Sequence, residues 1–358
     1  MKVALLHYWL INLRGGEKVL AELASLYPEA DIFTHACDPS KIAAAFEGHR
    51  IHETFIGKLP LAKKHCQKYL PLMPLALKQL NLEGYDLIIS SESGPVKGIR
   101  KPAGARHVCY CHTPMRYLWD MYDDYYKQAG VMGRAAMALF KNYLRSYDLK
   151  SADSVDDFIA NSNFVRERIR RIYNRDASVI HPPVDTSFFR AGQYEKKDYY
   201  VFVGQLIPYK HPELAVHACR KLGRKLVVVG DGSMKEELQR IAGPGIIFTG
   251  RLSGEKMRRC YAEARALLFP GVEDFGIVPV EAQAAGTPVI ALGRGGALET
   301  VVPGRTGLFF PECSVDSLAE AILEFEAASW ESGACREQAE HFSTEIFRSR
   351  IQNFMNAR

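Results

Sequence analysis

Short apolar runs alternate with amphipathic stretches along nearly the whole of this 358-residue chain. Apolar runs of about four to five residues are typical of buried strands, and apolar residues at helical spacing recur between them. The predicted strands are Val3–His7, Asp31–Thr34, Leu87–Ser90, His107–Cys111, Phe158–Asn161 and Ser178–Ile180 in the first half, and Tyr200–Val203, Lys225–Val229, Ile246–Thr249, Ala266–Phe269, Pro288–Ala291 and Gly307–Phe310 in the second. This alternation predicts an α/β protein with parallel sheets covered by helices on both faces.

A pair of prolines, Pro182 and Pro183, divides the chain near its middle. Proline removes a backbone donor and disfavours helix, so the pair suits a linker. Each half has enough strands for a doubly wound sheet of its own. We therefore predict an N-terminal domain over 1–182 that also takes up a C-terminal helix at about 343–358, and a C-terminal domain over 183–342.

Composition excludes several classes of protein. The net charge of +5 suits anionic ligands or an anionic membrane face. The sequence has no basic stripe interleaved with aromatic residues, so nucleic-acid binding is not predicted. Most of the eight cysteines lie scattered and several fall in apolar runs, which indicates reduced residues of a cytoplasmic protein. Cys109 and Cys111 lack a second ligand pair at zinc spacing, so no metal site is predicted. The start, Met1–Leu6, is strand-like and too short for a signal peptide, so none is expected here, and no apolar run approaches the ~20 residues that a membrane helix needs.

Two glutamates eight residues apart, Glu273 and Glu281, are the most informative feature of the sequence. A buried strand precedes Glu273, and a helix pattern surrounds Glu281. Glu273 is thus predicted in a loop at the carboxyl end of a strand, where open α/β sheets bind ligands. Glu281 is predicted about two turns into the helix, facing the same crevice.

Three further positions carry candidate chemistry. Gly15 and Gly16 follow the first strand and open a helix, so their amides either receive a phosphate or form an ordinary tight turn. Lys210 follows a strand and can act as a point charge on a diphosphate, although most isolated lysines are merely solvated. His112 comes just after a strand end, where a histidine is either structural or part of a site. No G-x-G-x-x-G fingerprint indicates a nicotinamide dinucleotide, and no Asp-x-Asp pair indicates a metal-held diphosphate.

Together these residues resemble glycosyltransferase family 4. The supporting positions are Gly15-Gly16, His112, Asn161-Ser162, Val203-Gly204 with Lys210, Gly230-Asp231-Gly232, Phe248-Thr249-Gly250, Glu273 with Glu281, and Val302-Pro303-Gly304. The resemblance covers essentially the whole chain and implies the GT-B fold, in which two Rossmann-like domains face a cleft. It also implies a retaining glycosyltransferase that needs neither a cofactor nor a metal.

The resemblance assigns roles to particular residues. Lys210 and the amides of Gly15 and Gly16 would hold the diphosphate of a nucleotide-sugar donor, and Glu281 would bind the ribose. His112, Lys210 and Glu273 would act at the reacting centre. The remaining donor contacts would come from Gln205, Arg251, Leu252, Phe275, Gly276 and Ile277. The family usually has an arginine where this chain has Gln205, so the protein would offer less positive charge to the leaving diphosphate. Either Lys210 acts alone there, or another basic residue such as Arg294 compensates.

The start of the chain and the segments Leu70–Pro74 and Tyr85–Ser91 look like bacterial mannosyltransferases of O-antigen and exopolysaccharide synthesis. That resemblance implies GDP-mannose as donor and a lipopolysaccharide or other polysaccharide pathway. A UDP-sugar donor, a nucleotide-sugar 2-epimerase or phosphorylase on the same fold, and a non-catalytic sugar-nucleotide-binding relative remain as alternatives.

The first domain is predicted to bind the acceptor, a free or lipid-linked saccharide. Tyr117 and Trp119 follow His112 closely and are expected to stack on sugar rings, although they could simply pack a loop. The segment Thr54–Leu82 holds five lysines and no acidic residue among apolar side chains. It suits either peripheral contact with the inner face of the cell membrane or a helix whose lysines are solvated.

Overall fold

The computed structural model describes residues 1–357, and they form two compact units. The first unit holds Met1–His181 and the residues from Arg350 onward, and the second holds Pro182–Ser349. The strands of the first unit are β1 (Val3–His7), β2 (Asp31–Thr34), β3 (Ile51–Glu53), β4 (Leu87–Glu92), β5 (Arg106–Cys111), β6 (Asp157–Ala160) and β7 (Ser178–Val179). Those of the second are β8 (Tyr200–Val203), β9 (Leu226–Val229), β10 (Ile246–Gly250), β11 (Leu267–Phe269), β12 (Val289–Leu292) and β13 (Gly307–Phe310).

Helices connect the strands in both units. They are α1 (Gly15–Leu26), α2 (Pro39–Ile42), α3 (Ala62–His65), α4 (Met73–Lys78), α5 (Tyr122–Gln128), α6 (Val131–Asp153), α7 (Asn163–Tyr173), α8 (Thr186–Arg190), α9 (Pro212–Leu222), α10 (Lys235–Ile241), α11 (Gly254–Glu263), α12 (Ile277–Ala284), α13 (Ala297–Thr300), α14 (Val315–Ala327), α15 (Ser332–Glu340) and α16 (Thr344–Asn356). Short 3₁₀ helices cover Ala43–Ala45, Phe55–Lys58, Cys66–Leu72 and Pro208–Lys210. None of the helices in residues 1–357 is both long and apolar enough to cross a membrane.

Both sheets are parallel and have the same kind of strand order. The first runs β3-β2-β1-β4-β5-β6-β7 and the second runs β10-β9-β8-β11-β12-β13. In each sheet the direction of winding reverses once, between β1 and β4 and between β8 and β11. Doubly wound sheets bind ligands beyond the carboxyl ends of the strands at such a reversal. The prediction of two doubly wound α/β sheets is therefore confirmed.

All twelve predicted strands form, with ends that differ by at most two residues. The sequence missed β3, which pairs with β2 at the edge of the first sheet. Its residues are Ile51, His52 and Glu53, and the last two are exposed. A three-residue edge strand with polar side chains has no apolar run to reveal it.

Alternation along the strands explains why the second sheet is covered on both faces. Phe202 and Leu268 belong to one buried cluster, while Val201 and Leu267 belong to another. Successive side chains of a strand point to opposite faces, so each cluster lies on its own side of the sheet. The inner strands β8, β9, β11 and β12 are almost wholly buried, and their sequences are continuous apolar runs for this reason, whereas the edge strand β10 exposes Ile247.

Candidate functional site

Gly16 lies against three aromatic side chains of the first unit. A Cβ on Gly16 would lie 3.3 Å from Tyr8 Oη, 3.4 Å from His112 Nε2 and 3.5 Å from His7 Cε1. Gly15 and Gly16 open α1 directly after the β1 loop, so this helix N-terminus lies beside the carboxyl end of β1. Helix N-termini present amides that lack intrahelical acceptors. The structure thus brings Gly16 and His112 together, and their roles toward a donor stay predictions.

His112 is held by Ser91, which the sequence analysis did not single out. His112 Nε2 lies 2.9 Å from Ser91 Oγ, and His7 Nδ1 donates to the Ser91 carbonyl over 2.8 Å. Burial lowers the pKa of His112 to about 4 and that of His7 to about 3, the latter with a smaller contribution from His112. Both imidazoles are therefore neutral near pH 7 and act as hydrogen-bonding groups rather than as cations.

The first turn of α1 also carries a buried carboxylate. The Arg14 amide donates to Glu17 Oε2 over 3.0 Å, which caps the helix. Glu17 Oε1 lies 4.0 Å from His7 Nε2. Burial raises the pKa of Glu17, and its backbone hydrogen bonds and Arg14 oppose that rise. In the sequence, only His7, at the end of the first predicted strand, pointed to this group of His7, Arg14 and Glu17.

In the second unit, Lys210 and Glu273 form an ion pair. Lys210 Nζ lies 2.5 Å from Glu273 Oε1, and both side chains are about four-fifths buried. Lys210 ends the 3₁₀ turn that follows β8, and Glu273 lies in the loop that follows β11. These two strands flank the reversal point of the sheet. The prediction that Glu273 lies at the carboxyl end of a strand is therefore confirmed.

Two glycines let the Lys210 turn pack closely. A Cβ on Gly271 would lie 2.9 Å from Lys210 Cα, and a Cβ on Gly204 would lie 3.3 Å from Lys210 Cδ. The lysine stem thus lies over backbone instead of side chains. Such packing limits the positions that the ammonium group can take.

The loop that carries Glu273 is fixed from the other side by a second pair of glycines. The Gly296 amide donates to the Glu273 carbonyl over 2.9 Å. A Cβ on Gly296 would lie 2.3 Å from Phe275 Cα, and one on Gly295 would lie 2.6 Å from the Glu273 oxygen. Gly276 then enters α12 with a φ of +90°, a conformation that glycine adopts without strain. Ile277 is the first residue of that helix, so its N-terminus lies beside the Glu273 loop.

Glu281 is the fifth residue of α12, just over one turn from its start, and not two turns as predicted. The hydroxyl of the buried Tyr261 donates to Glu281 Oε2 over 3.0 Å. The predicted distance was too long because Phe275 and Gly276 belong to the loop rather than to the helix. Tyr261 was not predicted, since a tyrosine inside a helix pattern carries no chemical signal of its own.

The remaining predicted donor residues, Gln205, Arg251 and Leu252, lie in loops that follow strands β8 and β10 of the second sheet. Gln205 is half-buried directly after β8, and its neighbour Leu206 donates to the Asp231 carbonyl over 3.0 Å. Arg251 is exposed after β10, while Leu252 is half-buried against the core. β9 lies between β8 and β10, and all three strands are parallel, so both loops lie at the same edge of the second sheet, beyond the carboxyl ends of its strands.

Tyr117 and Trp119 are tied into the first unit. Both pack against the cluster of Met115, Leu118 and Leu144. The indole N–H of Trp119 donates to Asp148 Oδ2 over 2.7 Å, and the Arg145 guanidinium lies 4.8 Å from the Trp119 ring centroid. These contacts show a packing role for Trp119, and contact with an acceptor stays a prediction for both residues.

Within residues 1–357, no group of three or more His, Cys, Asp and Glu side chains is arranged to hold a metal ion. All eight cysteines are free thiols, and only Cys313 is exposed.

Comparison with known families and proteins explains this arrangement. The family described as Glycosyltransferase Family 4 matches residues 13–188, and the family described as Glycosyl transferases group 1 matches residues 183–342. The two halves belong to these glycosyltransferase families. The matched ranges together span both sheets, so the family resemblance inferred from the motifs is confirmed.

Curated relatives match about half of the chain. A GDP-mannose-dependent alpha-mannosyltransferase of Mycolicibacterium smegmatis is 36% identical over 205 residues, covering 54% of this chain and 53% of that protein. A D-inositol 3-phosphate glycosyltransferase of Mycobacteroides abscessus is 32% identical over 197 residues, covering 48% of this chain and 44% of that protein. The chain thus spans about half the length of the curated relatives it matches.

Solved structures share the fold of this chain over its whole length. Anabaena HepE in complex with UDP has a TM-score of 0.75 at 17% identity, and both chains are fully covered. Sucrose-phosphate synthase from Thermosynechococcus elongatus has a TM-score of 0.74 at 20% identity, covering 100% of this chain and 99% of that one. At such identities the likeness concerns the fold alone.

Proposed function

We propose that this protein is a retaining, metal-independent hexosyltransferase that moves mannose from GDP-mannose to a free or lipid-linked saccharide in cell-surface polysaccharide synthesis. The observation that carries this proposal is the ion pair of Lys210 with Glu273 at the reversal point of the second sheet. A ligand that engages both groups must present an anion next to hydroxyl groups. A sugar joined to a diphosphate has that chemistry, because its hydroxyls lie close to the phosphate.

Each group then has a distinct task in the transfer. When the bond between the sugar and the diphosphate breaks, negative charge grows on the leaving phosphate, and Lys210 stabilises it. Glu273 accepts hydrogen bonds from sugar hydroxyls, and Glu281, oriented by Tyr261, accepts those of the ribose. His112, neutral and bonded to Ser91, offers a hydrogen-bonding group without adding charge. The acceptor hydroxyl attacks the face that the phosphate leaves and passes its proton to the leaving phosphate oxygen, so the configuration is retained.

The choice of GDP-mannose is supported by relatives whose names state GDP-mannose dependence, with identities of 36% and 32% over about half of the chain. A UDP-sugar is the second candidate, because a protein of the same fold has been solved with UDP. The loops that carry Gln205 and Arg251 would meet the nucleotide in either case. Gln205 gives no charge to the diphosphate, so Lys210 is the cation of this unit to which we assign that interaction, with Arg294 as the alternative.

A thermal-shift screen with GDP, UDP and ADP, each with and without its sugar, tests the donor. Saturation at a hundredfold excess over the dissociation constant should stabilise the protein by about 2.7 kcal/mol. A shift with UDP but none with GDP would overturn the choice of donor. Chelation by EDTA should leave turnover unchanged, and NMR of the product should show the anomeric configuration of the donor.

Measuring turnover of the donor also distinguishes a transferase from the alternative functions. An epimerase would convert the donor sugar without any acceptor, and a phosphorylase would require inorganic phosphate. A non-catalytic relative would bind GDP, yet Lys210→Ala and Glu273→Ala would change no measured turnover.

A further inference from the structure

Two segments of the first unit, residues 54–82 and 125–147, contain basic side chains and no acidic one. Their nine cations are Lys58, Lys63, Lys64, Lys68 and Lys78 in the first segment and Lys127, Arg134, Lys141 and Arg145 in the second. Within residues 1–357, none of the nine takes part in an ion pair with a carboxylate. Nearby cations outside the segments, such as Lys101 and Arg168, are paired with carboxylates. The two segments therefore carry uncompensated positive charge.

The same segments expose large apolar side chains. Val131, Met132 and Leu139 at the start of α6 are 84%, 88% and 74% exposed. Leu61 and Leu75 of the other segment are 69% and 51% exposed. Single exposed leucines are common on protein surfaces, but several large exposed apolar side chains on two basic segments are typical of an interaction surface. Exposed Tyr125 and Tyr143 add amphipathic rings to the second segment.

The two segments also pack against each other. Leu70, in the 3₁₀ helix Cys66–Leu72, lies in the cluster of Met115, Leu118 and Leu144, beside Phe140 of α6. Leu70 also packs against Ile56 and Met73 of its own segment. Residues 54–82 and 125–147 are therefore neighbours in the first unit, and we call the exposed side chains of the two segments together the basic apolar face.

We propose that the basic apolar face binds the surface of an anionic phospholipid bilayer. Apolar side chains enter the boundary between headgroups and acyl chains, and lysine and arginine reach the phosphates of the headgroups. Charge complementarity selects this partner, because a second copy of the chain would bring like charges together. The binding is independent of the proposed transfer reaction, since neither donor nor acceptor takes part in it.

Vesicle co-sedimentation tests the proposal with the full-length protein. The wild-type chain should bind vesicles of equimolar phosphatidylcholine and phosphatidylglycerol and should not bind phosphatidylcholine alone. Met132→Asp with Leu139→Asp, and separately Lys63→Glu with Lys64→Glu, should each weaken binding at least about tenfold. The matched control is Ile247→Asp with Leu323→Asp, since these side chains of the second unit are 60% and 48% exposed.

Circular dichroism and the thermal shift with nucleotide show whether each variant is folded, so a failure to bind vesicles can be separated from a failure of the donor proposal. Absence of binding to anionic vesicles would overturn the inference, as would equal loss in the control pair. Light scattering supplies the third outcome. If the face variants abolish self-association and leave lipid binding unchanged, the face joins two copies of the chain and the proposal is wrong.

Discussion

Lys210 Nζ lies 2.5 Å from Glu273 Oε1, across the point where the second sheet reverses its winding. The pair is only about one-fifth exposed, so solvent screens it less than a surface salt bridge. It comes from two loops that follow different strands, and glycines pack against both loops. The geometry therefore holds a cation and a carboxylate side by side at the place where doubly wound sheets bind ligands.

Replacing Lys210 by alanine should lower kcat by about 10²–10³-fold, because one fixed positive group at the leaving oxygen is lost. Steady-state kinetics with GDP-mannose measure this loss. Lys221→Ala is the matched control, since Lys221 belongs to the same unit and pairs with Asp316 at the surface. Equal activity of the two variants would remove Lys210 from the mechanism.

Glu273→Gln and Glu281→Gln should distinguish the contribution of the donor sugar to binding from the contribution of the ribose. A lost charged hydrogen bond weakens binding by about 10–100-fold. Glu273→Gln should weaken GDP-mannose but not GDP, because the variant frees Lys210 from its carboxylate partner, whereas Glu281→Gln should weaken both. Isothermal titration with the two ligands checks the pattern, and equal effects of Glu273→Gln on GDP and GDP-mannose would contradict the assignment.

Gly16→Ala should reduce donor binding or turnover while the protein remains folded. The added methyl would lie 3.3 Å from Tyr8 Oη and 3.4 Å from His112 Nε2, so these side chains must shift by a few tenths of an ångström. Gly333→Ala is the control, because nothing lies within 4 Å of its Cβ position. Alanine inside a helix should stabilise that variant by up to about 1 kcal/mol. An unchanged kcat/KM in Gly16→Ala would mean that the turn plays no part in donor binding.

Most of the strands could be predicted because they are buried on both faces and their sequences are therefore unbroken apolar runs. Lys210, Glu273 and His112 could be predicted because each follows such a run at its carboxyl end. Ser91 and Tyr261 could not, since their partners come from elements 21 and 20 residues away. The length of the Glu273 loop was also missed. Gly276 enters α12 with a positive φ, and the sequence shows the glycine but not the backbone angle.

Asp148 and Lys97 illustrate a buried charge network that no motif reveals. Both side chains are fully buried and ion-paired with each other, and Glu92 Oε1 lies 3.0 Å from Lys97 Nζ. Asp148 also accepts hydrogen bonds from Tyr173 and Trp119. Asp148→Ala should destabilise the first unit by about 3–5 kcal/mol, because it leaves a buried ammonium group poorly compensated.

Lys97→Met together with Asp148→Leu is the informative companion. Removing both charges should cost less than Asp148→Ala alone, because the remaining partner Glu92, whose pKa burial already raises to about 7, loses its cation and stays protonated and neutral instead of leaving a buried ion unpaired. Urea denaturation followed by tryptophan fluorescence measures both variants. A double variant less stable than the single one would show that the network contributes through its hydrogen bonds rather than through its charges.

Buried histidines should make the first unit less stable in acid. Burial lowers the pKa of His35 to about 3 and that of His107 to about 4, as it does for His7 and His112. Below the ordinary value of 6.5 the unfolded chain binds protons that the folded unit does not, so stability falls as pH falls from about 6.5 toward the folded pKa. Glu92 acts in the opposite sense, because burial raises its pKa to about 7 and favours the protonated folded form as pH falls.

His35→Gln isolates one of these contributions. His35 is fully buried, its Nδ1 lies 3.0 Å from Thr54 Oγ1, and it is not among the residues proposed to bind the donor. Between about pH 7.5 and pH 5, the variant should lose about 2 kcal/mol less unfolding free energy than the wild type, since it has no group at this position for the unfolded chain to protonate. Urea denaturation at the two pH values measures the difference. Parallel losses in both proteins would mean that His35 binds its proton equally well when folded, and burial would then not control its pKa.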